Sequence, residues 1–184
     1  MRPLFPQGTI VRNLEAADDR RAFSCGHPDL DRYFRDYAGQ HSRRGLSRVQ
    51  VAVLNGEIVG YAASAPGHIT SSELPSDLRR RLPHYPLPIL RLARLAVAEE
   101  HQHRGIGSLL LATVLQQALG LRDQYGCVGV VIDAKAEAVG YYATFGFQVV
   151  PTESGQIQGG AAPTTQMFLP IGTIETALRH DSDK

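Results

Sequence analysis

Apolar and polar positions along this chain follow two periods, and the places where one gives way to the other mark its elements. Residues 9–14 read as a short edge strand, and 18–21 as a charged turn. Leu30, Phe34 and Tyr37 or Ala38 recur at helical spacing behind Pro28, which suits a first turn, so an amphipathic helix is predicted over 28–42. Two β-rich runs, 49–54 and 57–63, flank Asn55-Gly56, a strong hairpin signal, and 66–70 ends the second strand. Residues 74–81 suit a short helix closed by Pro83, and 84–88 an extended entry into a central strand at 90–98. The longest helical run goes from Leu109 to about Tyr125, with Gly126 placed as its C-terminal cap. Residues 128–132 are almost wholly apolar, as in a strand covered on both faces. A helix at 135–144 capped by Gly146, a strand at 147–150, a loop at 154–164, a strand at 166–169 and a helix at 173–180 complete the chain. Hairpins first and βαβ units later predict a mixed α/β sheet.

At 184 residues and 43% hydrophobic content the chain suits one globular domain over 1–184. Net charge is +1, which implies no global pull toward nucleic acid. The distribution is less even: residues 1–94 carry fourteen arginines against nine acidic groups, whereas 95–184 are net acidic. Arginine is the side chain best suited to forked phosphate contacts. No aromatic-basic interleaving is visible in the linear sequence. Cys25 and Cys127 fit neither a disulfide framework nor a metal site, and Cys127 reads as a buried small hydrophobe. No metal is expected. With no long apolar run, and Arg2-Pro3 followed by mixed sequence, neither a membrane span nor a signal peptide is expected, which points to the cytoplasm.

The chemistry concentrates where the strand at 92–98 passes through a polar turn into Arg104-Gly-Ile-Gly-Ser108 and a helix. Amides at a helix mouth lack intrahelical partners and sit at the positive end of the macrodipole, so they can take a phosphate. A dinucleotide-binding unit is disfavoured, because the third glycine is missing and Asp123 lies in a helical run.

Gln102-x-x-Gly105-x-Gly107 resembles the acyl-CoA pyrophosphate loop of the GNAT acetyltransferase superfamily, and Tyr141-Tyr142-Ala-Thr-Phe145-Gly146-Phe147 resembles its second signature. The resemblance implies the GNAT fold: a mixed twisted sheet flanked by helices, with a splay between two parallel central strands, here 90–98 and 128–133. It implies acetyl-CoA as co-substrate, held by Leu95, Ala96 and Val97 on the strand and by Gln102, His103, Arg104, Gly105, Ile106, Gly107 and Ser108 in the loop. His103 stands where relatives usually have Gly. The resemblance maps the general acid to Tyr142, the tyrosine nearer the Gly-Phe pair, while Tyr141 is expected to pack. No general base stands out: Glu99, Glu100, His101 and His103 read as exposed loop residues. That absence leans toward an α-amine, whose pKa of about 7.7–8.0 leaves it partly neutral near pH 7.

Phe23-x-Cys25-Gly26-x-x-x-Leu30-Asp31, residues 43–53, Gly60-Tyr61 and Leu92-Ala-Arg-Leu-Ala-Val97 together resemble one subgroup. These are the bacterial toxins that acetylate the amino group of aminoacyl-tRNA and stop translation. The resemblance implies a homodimer and a ribbon-helix-helix antitoxin as partner. Arginines on and after the first helix (Arg32, Arg35, Arg43, Arg44, Arg48), with Arg79, Arg80, Arg81 and one of Arg91 and Arg94, are expected to track a tRNA acceptor stem by phosphate contacts. Residues three apart on a strand face opposite ways, so at most one of Arg91 and Arg94 faces the groove; the resemblance favours Arg94, which matches the subgroup's Arg before Leu-Ala-Val. Two other classes stand beside this one. The first is an enzyme acetylating a small-molecule amine or a protein N-terminus. The second is an inactive binding module, disfavoured because Tyr142 and the loop are both present.

Overall fold

Asn55 and Gly56 adopt φ of 52° and 83°, the left-handed pair that a two-residue type I′ hairpin requires. They join β2 (Arg48–Leu54) to β3 (Glu57–Ile69), antiparallel from Arg48↔Ser64 to Leu54↔Glu57 with an irregularity at Ala52/Val53. The edge strand β1 (Ile10–Asn13) pairs antiparallel with β2, Ile10 opposite Val53. These facts come from a computed structural model, which describes residues 5–150 and 163–182. Most of the predicted loop at 154–164 lies outside the described residues.

The remaining strands are β4 (Leu87–Val97), β5 (Gly129–Lys135), β6 (Gln148–Val149) and β7 (Thr164–Pro170). All seven form one mixed sheet in the order β1-β2-β3-β4-β5-β7-β6. Gly129↔Pro170 through Lys135↔Thr164 fixes the β5–β7 register, and Gln148↔Phe168 starts the β6–β7 register. The chain divides into two compact units, residues 1–65 with 92–116 and residues 66–91 with 117–184. In the first, Phe34, Tyr33, Ala38 and Cys25 close over Val49, Val51, Tyr61 and Ala96. In the second, Ile69, Leu74, Leu87, Ile89, Val131 and Phe168 form the core. Cys127 is buried as expected.

Four elements differ from the sequence expectation. The helix predicted over 28–42 is α1 (Pro28–Arg32), a π-helical turn (Tyr33–Tyr37) and α2 (Ala38–Arg43). Leu30 and Phe34 keep a spacing of four into this turn, and the wide turn is defined by backbone bonding, Ala38 N–H on Tyr33 O, which residue types alone do not specify. The helix predicted over 74–81 shrinks to α3 (Ser76–Arg79), preceded by a 3₁₀ turn (Ser71–Glu73). Thr70 and Glu73 form a reciprocal capping box there, and Leu74 and Pro75 then leave the helical region. The long helix α4 runs Ile106–Tyr125, three residues earlier than Leu109, so Gly107 and Ser108 belong to its first turn. Ile106, Leu110, Val114 and Ala118 bury its inner stripe, and Gly126 caps it at φ 96° with its N–H on Arg122 O. The helix predicted over 135–144 is a 3₁₀ turn (Ala136–Ala138) followed by a short α5 (Val139–Ala143). A last helix, α6 (Ile171–Ser182), follows β7. Among the described residues no helix is long and apolar enough to cross a membrane.

Candidate active site

In the first unit β4 ends at Val97 and a 3₁₀ turn, Glu99–His101, leads to the glycine loop. His103 and Gly105 take φ of 60° and 79°, so the chain reverses twice before α4 begins. A left-handed histidine costs roughly 1–2 kcal/mol, which is the physical reason glycine is common at such a position. The intrahelical bonds of α4 start with Leu109 N–H on Gly105 O at 3.0 Å. The amides of Gly105, Ile106 and Gly107 therefore precede any carbonyl they could reach within the helix, and they stand at its positive end. Ile106 is fully buried and contributes to the loop through its amide alone, while Arg104 and His103 are exposed. Gly60 on β3 seats this helix mouth: a Cβ there would stand 3.0 Å from Leu110 Cδ1 and 3.1 Å from Ala96 O.

Gln102 has a use that the motif alone does not disclose. Its Nε2 donates to Cys25 O at 3.0 Å and to Val97 O at 3.1 Å. The side chain is thus a latch, and what it offers an anion comes through the loop it pins. The Val97 carbonyl is taken up by the latch. Ala96 is buried in the core, so it too can present only main chain.

The far side of the latch is the segment that carries the subgroup resemblance. Asp31 accepts the Cys25 N–H at 2.8 Å, and Glu99 N–H reaches Ser24 O at 3.0 Å. Gly26 adopts φ 85°, a conformation that strains any side chain, and a Cβ there would also press on Glu99 Oε1 at 2.7 Å. Burial first, and then Asp31, push the Cys25 thiol up to about 12, so it is inert at neutral pH. Residues 23–31 therefore brace the turn that feeds the glycine loop, across a sequence separation too long for local patterning to detect. A neighbouring cleft of about 420 Å³ is lined by Asp18, Asp19, Glu57, Glu99 and Glu100. Its carboxylates repel a diphosphate, so it does not serve the acyl donor.

Arg94 is half-buried, with its guanidinium carbon 3.7 Å from the ring centroid of Tyr33. Arg91 is instead paired with Asp133 at 2.7 Å. Arg43 and Arg44 are exposed at the end of α2, and Arg48 Nε donates to Asn13 Oδ1 at 3.1 Å. Arg79 and Arg80 belong to the second unit. Arg79 clamps the carbonyls of Ser72 and Leu74 at 2.9 and 3.2 Å, whereas Arg80 is exposed. Among these arginines, the four in the first unit are the ones found around one helix and its neighbouring strands.

In the second unit Tyr142 lies on α5, buried edge-on against Phe147 (5.6 Å) and Tyr141 (5.2 Å). Gly146, at φ 90°, turns the chain back so that Phe147 N–H meets Tyr142 O at 3.3 Å. The glycine-phenylalanine pair thus fixes the tyrosine ring, while its hydroxyl takes no hydrogen-bond partner among the described residues. Burial first, and Tyr141 second, raise its pKa above the ordinary phenol value. Glu99, Glu100 and His103 are exposed, as expected, while His101 is partly buried.

Residues 45–149 match the acetyltransferase (GNAT) domain family. The chain is 36% identical over 143 residues, 77% of its length and 86% of the other's, to a tRNA-acetylating toxin of Mycobacterium tuberculosis (strain ATCC 25618 / H37Rv). Its fold resembles AtaT complexed with acetyl-methionyl-tRNAfMet, at TM-score 0.82 and 21% identity, covering 92% of this chain and 99% of that one. It also resembles a mutant of the AtaT toxin bound to the C-terminus of the antitoxin AtaR and acetyl-CoA, at TM-score 0.75 and 18% identity, covering 92% and 98%.

Proposed function

We propose, from the premise that the chain belongs to the GNAT acetyltransferase family, that it is a toxin transferring the acetyl group of acetyl-CoA to the α-amino group of aminoacyl-tRNA. The observation that carries the substrate is the 36% identity to a tRNA-acetylating toxin over most of both chains.

The donor set fits the donor substrate. Gly105, Ile106 and Gly107 offer amides at a helix mouth, the chemistry that a diphosphate requires. Leu95 and Val97 would pair with the pantetheine arm through their backbone groups. Acetyl-CoA supplies the activated acetyl thioester. Amides directed at its carbonyl oxygen stabilise the charge that develops there. Tyr142 stays a neutral phenol at pH 7, so Oη gives its proton to the CoA sulfur as the C–S bond breaks and the C–N bond forms. The proton lost by the attacking amine passes to solvent, which restores the phenol. An α-amine, partly neutral at that pH, does not require a strong base. We further propose that the two units act as one domain, since β3, β4 and α4 each contribute residues to both. A homodimer, a ribbon-helix-helix antitoxin partner and a cytoplasmic location complete the reading.

The test is incubation with radiolabelled acetyl-CoA and charged total tRNA. Label should enter the RNA fraction and should be lost when the tRNA is deacylated beforehand. Label confined to small amines or to protein N-termini would exclude the tRNA reading.

A further inference from the structure

The arginines of the first unit have an aromatic counterpart. Across the π turn, Tyr33, Tyr37 and His41 follow one another at intervals of four. The Tyr33 and His41 rings are 5.5 Å apart, and those of Tyr37 and His41 6.3 Å. Arg94 lies on Tyr33 at the inner end of this row. At the outer end Tyr37 is 47% exposed, and Leu46, whose N–H returns to His41 O at 2.9 Å, is 57% exposed. Arg43 and Arg44 are exposed beside them, and among the described residues no carboxylate pairs with either. An exposed ring and a leucine flanked by unpaired guanidinium groups is a poor solvent surface and a good seat for an unstacked base with its phosphate. Aromatic and basic groups are therefore interleaved in space.

We propose that Tyr37, backed by His41 and bordered by Arg43 and Arg44, is the stacking seat for a base of the single-stranded 3′ end of charged tRNA. Arg94, held flat by Tyr33, keeps the edge of its guanidinium for a phosphate of the same strand. The assignment rests on the tRNA reading above and extends it to named side chains. Charge decides between RNA and a protein partner: every unpaired charge at the row is positive.

The experiment measures steady-state kinetics of Tyr37→Ala and Tyr37→Phe with charged tRNA and with an aminoacylated CCA trinucleotide. Loss of one stacked base should raise KM about tenfold with kcat preserved, while Tyr37→Phe, which keeps the ring, should behave as wild type. Tyr37 is exposed, so the substitution leaves the core intact, and equal melting temperatures would verify this. The rise should appear with both substrates, because the trinucleotide has no duplex stem. A KM within twofold of wild type, or a rise confined to whole tRNA, overturns the seat while leaving the tRNA reading in place. A wild-type protein that does not acetylate charged tRNA overturns both.

Discussion

Replacing Gln102 by leucine removes two donors while keeping the side-chain bulk. The hydrogen bonds lost, to Cys25 O and Val97 O, are neutral contacts of 3.0 and 3.1 Å. Each contributes about 1 kcal/mol net, so the latch is worth roughly 2 kcal/mol. If that energy were lost from the fold as a whole, the melting temperature would drop by about 4–8 °C. The latch spans only residues 25, 97 and 102, so much of the loss should appear as local opening of the turn that precedes Gly105. A binding-competent population reduced by up to about thirtyfold weakens apparent affinity by at most the same factor. Calorimetric titration with acetyl-CoA should therefore show a Kd roughly three- to thirtyfold higher. Gln102→Glu, which sets a carboxylate against two carbonyls, should be worse at neutral pH. A melting temperature lowered by several degrees with Kd within twofold of wild type would refute the reasoning, because Gln102 would then hold the fold and not the shape of the loop.

Tyr142→Phe should lower kcat by about 10²-fold while acetyl-CoA affinity stays close to wild type, read by steady-state kinetics and calorimetry; an unaltered kcat removes the hydroxyl from the reaction. Gly107→Asp should abolish acetyl-CoA binding, since it sets a carboxylate where the diphosphate would lie. Acidic groups suit a first helical turn, so the melting temperature should hold. Cys25 should resist iodoacetamide at pH 8 in the folded protein. Its native pKa of about 12 lies above the unfolded value, so the native state retains a proton that the unfolded chain loses. Its contribution is full below about pH 9 and falls as pH rises toward 12, and Cys25→Ala should flatten that part of the stability-against-pH curve. Reversing Arg43 and Arg44 to Glu should weaken tRNA acetylation and reduce its salt dependence; a salt slope equal to wild type would exclude both from the RNA contact.

Features governed by neighbouring residues were legible in the sequence. Asn55-Gly56 set the hairpin, Gly126 and Gly146 the two caps, and the run at 128–132 a central strand, each through a local backbone or burial requirement. Gly107 misled the reading of the start of α4, because glycine signals a loop yet is tolerated in a first helical turn. The motif residues of the loop were legible as types, but the work of Gln102 was not, since its acceptor at Cys25 lies seventy-seven positions away. The π turn escaped for a different reason. Leu30 and Phe34 keep helical spacing whether or not a residue is inserted after them, so only backbone geometry distinguishes the two cases.

The brace between residues 23–31 and 99–102 has a consequence for anyone recombining these proteins. The strand of chain that opens the helix proposed to face RNA is the same one whose carbonyl the latch grips, so the two cannot be exchanged as separate modules. A graft that imports a foreign specificity helix starting at Pro28 must carry Cys25, Gly26 and Asp31 with it. Otherwise the host loses its grip on the acetyl donor before the new acceptor is ever tested.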